Sequence, residues 1–355
     1  MIIDRYLSTE ISRPLLAGLG LLTLIFIAWS AARYLSLAAE GHLDMLAAFK
    51  LVGLNTVVAL EILLPSALFF SVLSAVARMY KEAEMHVLYA SGISRLRILE
   101  SVLKYSLVVA LVTGLISVVG RPWAYRMSYE LEARAAAHYD LKRMAAGQFV
   151  DLAGSDYTFY AGGADLDNGV HRDVFLFKRH PSAKRVEILV AKTAELPALN
   201  PGEPMEAHFG EGYNYLLDEA GTRDFTNRFE TLEIRLQNRK AQEKYRRKAE
   251  TTEVLAESDD PKDIAEFQWR VSTPLATLLL GLMAVPLSRT APRQSRLRNV
   301  VSALLVYVGL FALASVSRTW LEQGKLPEMP GLWLAYALQA LLLFALVAPR
   351  KWWRR

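Results

Sequence analysis

The residues best equipped for chemistry in this chain do not assemble into a catalytic set. There is no cysteine among the 355 residues, which removes thiolate nucleophiles, thiolate metal sites and disulfides together. The six histidines, His42, His86, His138, His171, His180 and His208, are dispersed outside the long apolar runs. No HExxH pair sets two imidazoles on one helix face, so no metal site is expected. A GxxxxGK[ST] loop, which would cradle nucleotide phosphates with backbone amides, is also absent. What remains is charge in costly places. Arg33 lies inside the first apolar run, a distance of about 30 Å along a helix from Arg13, near the far face of a bilayer. A guanidinium there either snorkels to the headgroups or offers its planar fork of donors to phosphate oxygens. Glu61 sits at a comparable depth, counted back from Arg78, and reads either as a polar packing residue, the reading favoured, or as a functional one.

The third chemically distinctive stretch is RMYKEAEMHVLYASGISRLRILESVLK, from Arg78 to Lys104, between two apolar runs. Met85, Leu88 and Tyr89 fall on one side of a helical period, and Lys81, Glu82 and Glu84 on another. Gly92 should end that helix and Ser94 cap the next. A short amphipathic helix at a membrane surface either anchors a helical hairpin or offers a docking surface to a soluble subunit that supplies energy.

The elements that must position these residues follow from composition. Hydrophobic residues make up 53% of the chain while 22% are charged, and mean hydropathy is +0.19. A membrane protein with a substantial polar part fits those figures. The opening MIIDRYLSTEISRP predicts an interfacial helix, followed by a retained span over about 15–37. A second span over about 51–77 should bend at Pro65, and a third over about 102–119 should end at Gly120, Arg121 and Pro122. After a charged helical bridge come short alternating segments, GQFVDL, DYTFYAGG, RDVFLFKRH, KRVEILVAKTAEL, GYNYLLD and FETLEIRL, parted by turn residues. They predict a β-sandwich or jelly roll. Residues 239–263 are mostly charged and predict a solvated linker, with Asp260 and Pro261 starting the next helix. Three further spans, over about 271–287, 300–317 and 332–348, complete the chain.

The fold class expected is thus an α-helical membrane protein with six transmembrane helices and an extracytoplasmic, all-β, jelly-roll-like domain between helices 3 and 4. The expected boundaries are 1–121, 122–266 and 267–355. Basic residues cluster in the amino-terminal tail, the hinge, the loop around Arg293 and the tail RKWWRR, while the opposite short loops hold Lys50, Arg318 and Lys325. The positive-inside rule puts both termini and the hinge in the cytoplasm and the β-domain outside. Because the basic residues are divided among membrane-proximal segments, nucleic acid is not an expected partner.

The opening MIIDRYL, the second-span ILLPSALFF, the hinge MYKEAEMHVLYASGIS, the return FQWRVSTPL and the segment AVPLSRTAPRQSR together resemble the LptF/LptG permease family. The likeness covers the whole chain, and its opening and PRQSR segment favour the LptF side. It implies a permease subunit of an ABC transporter in the bacterial inner membrane, with the β-domain in the periplasm. Such a subunit pairs with an LptG-like paralogue, an LptB-like ATPase dimer and an LptC-like single-span subunit. It extracts lipopolysaccharide and passes it to a periplasmic β-jellyroll bridge. No cofactor is implied for this chain, since ATP and Mg would sit in the ATPase. By position, the resemblance makes Glu84 the carboxylate that docks on the ATPase with Glu82 beside it, in a coupling helix that includes Met85, Leu88 and Tyr89. It makes Arg33 a contact to lipid phosphate. The first and fifth spans become lateral gates, with Tyr307 and Phe311 lining one of them. Read without the resemblance, the residues also allow a membrane-anchored envelope scaffold or sensor. A lipoprotein-release permease would instead carry its large outer domain after the first span.

Overall fold

A computed structural model describes residues 2–40, 43–144, 147, 149–151, 157–165, 170–180, 185–195, 205–218, 224–236, 247–288 and 296–348. It divides into two units, one of residues 1–32, 52–128 and 247–355 and the other of residues 33–51 and 129–246. The long helices are α1 (Ile2–Ala39), α2 (Met45–Lys81), α4 (Arg95–Leu115), α5 (Arg121–Met144), α7 (Pro261–Leu287), α8 (Arg296–Glu322) and α9 (Trp333–Val347). Two short helices, α3 (Glu84–Ala90) and α6 (Thr252–Ala256), join them. Among the described residues five helical runs are long and apolar enough to cross a bilayer, and α9 is a shorter apolar helix. The chain is therefore a helical membrane protein with an all-β domain inserted in its middle.

Several expectations about helix ends are corrected. The interfacial opening and the first span form one helix, with Pro14 inside α1. Pro65 lies inside α2, within the second span as expected. The third span does not stop at Gly120. A π-helical turn over Ile116–Gly120 carries α4 directly into α5. Pro122 cannot donate to the carbonyl four residues back, that of Val118, and Thr252 Oγ1 donates to that oxygen instead at 3.1 Å. A hydroxyl from the far end of the inserted segment thus satisfies the acceptor that the proline frees.

Residues 247–263 also depart from expectation. The sequence reads as solvated linker through 239–263. Residues 239–246 lie outside the described residues, but Arg247–Ala249 forms a 3₁₀ turn and α6 follows it. Leu255 and Asp263 are buried. The segment is folded because its backbone carbonyls accept from a buried guanidinium, described below, and because Arg247 Nε donates to Asp263 Oδ1 at 2.5 Å. Asp260 caps α7 as expected, accepting from the Lys262 amide at 2.8 Å.

The first unit's core is built around Leu7, Ile11, Phe69, Val76, Met79 and Met85, all essentially inaccessible. Close approach of α4 and α7 depends on Gly281. A Cβ there would sit 2.3 Å from Ser106 Oγ and 3.1 Å from Leu68 Cδ2. Gly281→Ala is expected to destabilise the purified protein by about 1–3 kcal/mol through overpacking. Gly309→Ala, where nothing lies within 4 Å, should be neutral or slightly stabilising. Thermal midpoints in detergent compare the two, and equal midpoints would remove the packing account.

The second unit holds one six-stranded antiparallel sheet in sequential order: β1 (Val150–Asp151), β2 (Tyr157–Asp165), β3 (Val170–His180), β4 (Arg185–Glu195), β5 (Met205–Asp218) and β6 (Phe225–Leu236). The sequence segments locate the strands but miss the first half of β5. One face is buried at alternate positions: Phe159 and Ala161, Val174 and Leu176, Leu189 and Ala191, Ala207 and Phe209. The alternation then slips in concert, with His171, Ala194 and Gly212 inward, each three residues from an inward neighbour on its strand. At that level Asp173 and Glu211 adopt left-handed backbone, φ 52 and φ 44, and the ladder omits the pairs 162–173 and 192–211. A transverse crease results. His171 is buried there against Phe159, and burial pushes its imidazole pKa down, keeping it neutral.

Candidate functional site

Three arrangements in the helical unit bring polar and aromatic side chains together. The first is the hinge. Instead of one helix, Arg78–Gly92 forms the end of α2 and the separate α3, broken at Ala83 with φ 60. A left-handed alanine is uncommon, and side chains on both sides of it hold it. Arg78 bonds Glu82 at 2.8 Å and also pairs with Glu10. Glu84 Oε2 accepts from Tyr6 Oη at 2.6 Å. Met85, a member of the expected coupling helix, is fully buried and anchors α3 to the core. Leu88 and Tyr89 are partly buried against the same core, and Tyr89 Oη meets Tyr80 Oη at 3.0 Å. The outward face is instead Glu82, His86 and Val87, the last 66% exposed. Gly92, at φ 87, ends α3 as predicted, with Gly92 N donating to Tyr89 O and Ile93 N to Leu88 O. Ser94 caps α4 by accepting from Arg97 N.

The second arrangement is a buried ion network. Glu61 Oε1 accepts from Ser117 Oγ at 2.7 Å and Arg121 Nη1 at 3.1 Å. Glu266 takes Arg121 Nη2 at 3.1 Å, Arg270 Nε at 3.1 Å and Arg318 Nη2 at 2.7 Å. Glu266 and Arg270 have no exposed side-chain surface, and Glu61 and Arg121 are 4% and 5% exposed. Arg318 also binds Glu322 at 2.8 Å and lies over the Trp269 ring, so three guanidiniums meet three carboxylates. Arg270 uses its remaining donors on backbone: Nη1 to Glu250 O at 2.8 Å, and Nη2 to Arg247 O and Lys248 O at 3.2 Å. Helices α2, α5, α7 and α8 and the returning chain are thereby pinned at one level. Sequence reasoning placed Glu61 as packing and missed Glu266 and Arg270. Their opposite charges at i and i+4 in the first turns of a membrane-entering helix are the signal that could have found them.

The third arrangement is an open groove between α2, α7, α8 and α9, lined chiefly by apolar groups including Ile62, Pro65, Leu280 and Leu310. Tyr307 and Phe311 both face it. Tyr307 is held in place, its hydroxyl 2.5 Å from Ser66 Oγ and its ring 5.5 Å from those of Phe69 and Phe70. Phe311 is 42% exposed. The groove's polar end is Glu61, Thr273 and Gln339, so the network and the groove share Glu61.

Arg33 belongs to the other unit. It is exposed and stacks over the ring of buried Tyr34, with 5.6 Å from Cζ to the centroid. Among the described residues no carboxylate pairs with it, leaving its donors open. No group of three or more His, Asp or Glu residues fit to hold a metal occurs among the described residues.

Residues 5–348 match the family described as Lipopolysaccharide export system permease LptF/LptG. The chain is 28% identical over 343 residues to the Lipopolysaccharide export system permease protein LptF of Escherichia coli (strain K12), covering 94% of this chain and 90% of that protein. Its similarity to the protein of the same name from Shigella flexneri has the same identity and coverage.

Proposed function

This chain belongs to the LptF/LptG family of lipopolysaccharide export permeases and is a multi-pass inner-membrane permease subunit; from that premise we propose that it forms half of a heterodimer with an LptG-like paralogue on an LptB-like ATPase dimer. ATP and Mg bind in that ATPase, and this chain carries no cofactor. Both termini and the hinge face the cytoplasm, and the β-domain faces the periplasm, in accord with the Lys and Arg distribution.

The observation that carries this reading is the hinge. A seven-residue helix, anchored by buried Met85 and presenting His86 and Val87 with Glu82 in the turn before it, joins two membrane helices in a chain without a phosphate-binding loop. It suits a surface on which a separate ATPase pushes, with Glu84 at the edge of the contact. A lipid with several acyl chains and phosphates is too large for one subunit's interior, so two facing subunits enclose it. Tyr307 and Phe311 line the gate of α8 against the partner, and Arg33 meets lipid phosphate. Closure below drives the lipid towards the β-domain and on to an LptC-like jellyroll subunit.

Co-purification with the paralogue and the ATPase tests the reading. The wild-type chain should retain the ATPase. Glu84→Lys should reduce the recovered ATPase by about ten-fold while the thermal midpoint moves little, since partly exposed carboxylates contribute little to folding. A wild-type chain that recovers no ATPase supports an envelope scaffold instead.

A further inference from the structure

We propose that Asp4, Tyr6 and Glu10 are positioning residues that clamp the start of α1 to the hinge, so that displacement of α3 is delivered to α1 as movement of one body. The proposal rests on the reading of α3 as the ATPase contact.

The opening of α1 is bound on two sides. Leu7 and Ile11, 1% and 0% exposed, lie at the centre of its buried face. On one flank Tyr6 and Glu10, one helical turn apart, reach the hinge: Tyr6 Oη donates to Glu84 Oε2 at 2.6 Å, and Glu10 accepts from Arg78 at the end of α2. On the other flank Asp4 reaches α4, accepting from Arg97 Nη2 at 2.8 Å and from Ser101 Oγ at 2.6 Å. Ser12 and Tyr105 extend that side, their hydroxyls 2.9 Å apart. One helical opening is thus tied by side chains to α2, α3 and α4.

Beyond this clamp α1 packs sparsely, with Leu19 and Leu22 partly buried against the core. From Leu16 to Trp29 no residue is buried, and Leu21, Leu24, Ile25 and Trp29 are each about 60% exposed or more. A helix tied by side chains at one end and packed more sparsely beyond it carries movement of that end along its length. Because the ties are partly solvated, each adds little stability. Their consequence is register: with Tyr6 bound, Glu84 and α1 cannot move independently.

The test uses proteoliposomes containing this chain, its paralogue and the ATPase, loaded with lipopolysaccharide. In the variant Asp4→Asn/Tyr6→Phe/Glu10→Gln, ATPase recovery and ATP hydrolysis should stay within two-fold of wild type while lipid release falls at least five-fold. Rescue separates positioning from folding. The chain has no cysteine, so Asp4→Cys/Ser101→Cys can be joined selectively with a short bifunctional thiol reagent. In a Tyr6→Phe/Glu10→Gln background, that cross-link should restore release. Unchanged release in the triple variant overturns the clamp. So does parallel loss of release, hydrolysis and ATPase recovery without rescue, which would make the ties merely structural. Absence of ATPase from the wild-type complex overturns the clamp together with the functional reading beneath it, whereas normal wild-type coupling with insensitive variants overturns the clamp alone.

Discussion

Replacing Glu266 with glutamine should lower the thermal midpoint of the detergent-purified protein by about 10 °C. Three guanidiniums, from Arg121, Arg270 and Arg318, converge on this carboxylate. Neutralising it leaves buried positive charge uncompensated. Removing one partner of a buried ion pair typically costs about 3–5 kcal/mol, and each kcal/mol shifts the midpoint by roughly 2–4 °C in a unit of this size. Because Arg270 also holds the carbonyls of Arg247, Lys248 and Glu250, the variant should become sensitive to protease around 247–256. Glu253→Gln, on the exposed side of α6, should shift the midpoint by no more than about 1–2 °C. The apolar pair Glu266→Leu/Arg270→Met should recover part of the loss, as buried pairs replaced together often do. A Glu266→Gln midpoint within 2 °C of wild type would show that the network is not what fixes the returning chain.

The second large effect is expected at Arg33. If its guanidinium meets a lipid phosphate with two donors, Arg33→Lys should lose part of lipopolysaccharide cross-linking to a photoreactive residue placed beside position 33. Arg33→Glu should lose roughly ten-fold or more at equal protein level. The stacking on Tyr34 favours this contact, because it steers the planar group while leaving its N–H edge open. A snorkelling arginine would instead accept lysine fully, since both side chains reach the headgroups. Cross-linking that differs by less than two-fold among wild type, lysine and glutamate would exclude the phosphate contact. Membrane insertion, measured in parallel, should be normal in all three.

Much of this architecture was legible in the residues. Runs of apolar side chains longer than any soluble core needs declare membrane helices, because bilayer thickness fixes their length. Period-2 alternation between turn residues declares the inserted strands. Local chemistry also placed the cap at Asp260, the stop at Gly92 and the cap at Ser94, since those signals act within a few residues of themselves.

Other features depended on partners distant in the chain. Pro122 reads as a helix end, yet the helix continues because Thr252 supplies a donor to the carbonyl that the proline frees. Met85 reads as one side of an amphipathic surface helix, and only the fold shows that α3, turned at Ala83, buries it fully in the core. Residues 247–263 read as solvated because their own side chains are charged, and they fold because Arg270 satisfies their backbone. The family likeness fixed the kind of protein, and the distribution of charge fixed an expected orientation. Only the tertiary structure decided that Glu61, Arg121, Glu266, Arg270 and Arg318 share one buried network, and that Tyr6 holds Glu84. Sequence periodicity reports which face of an element is apolar, whereas the pairing of isolated charges depends on which faces meet, and that is set by packing across the whole unit.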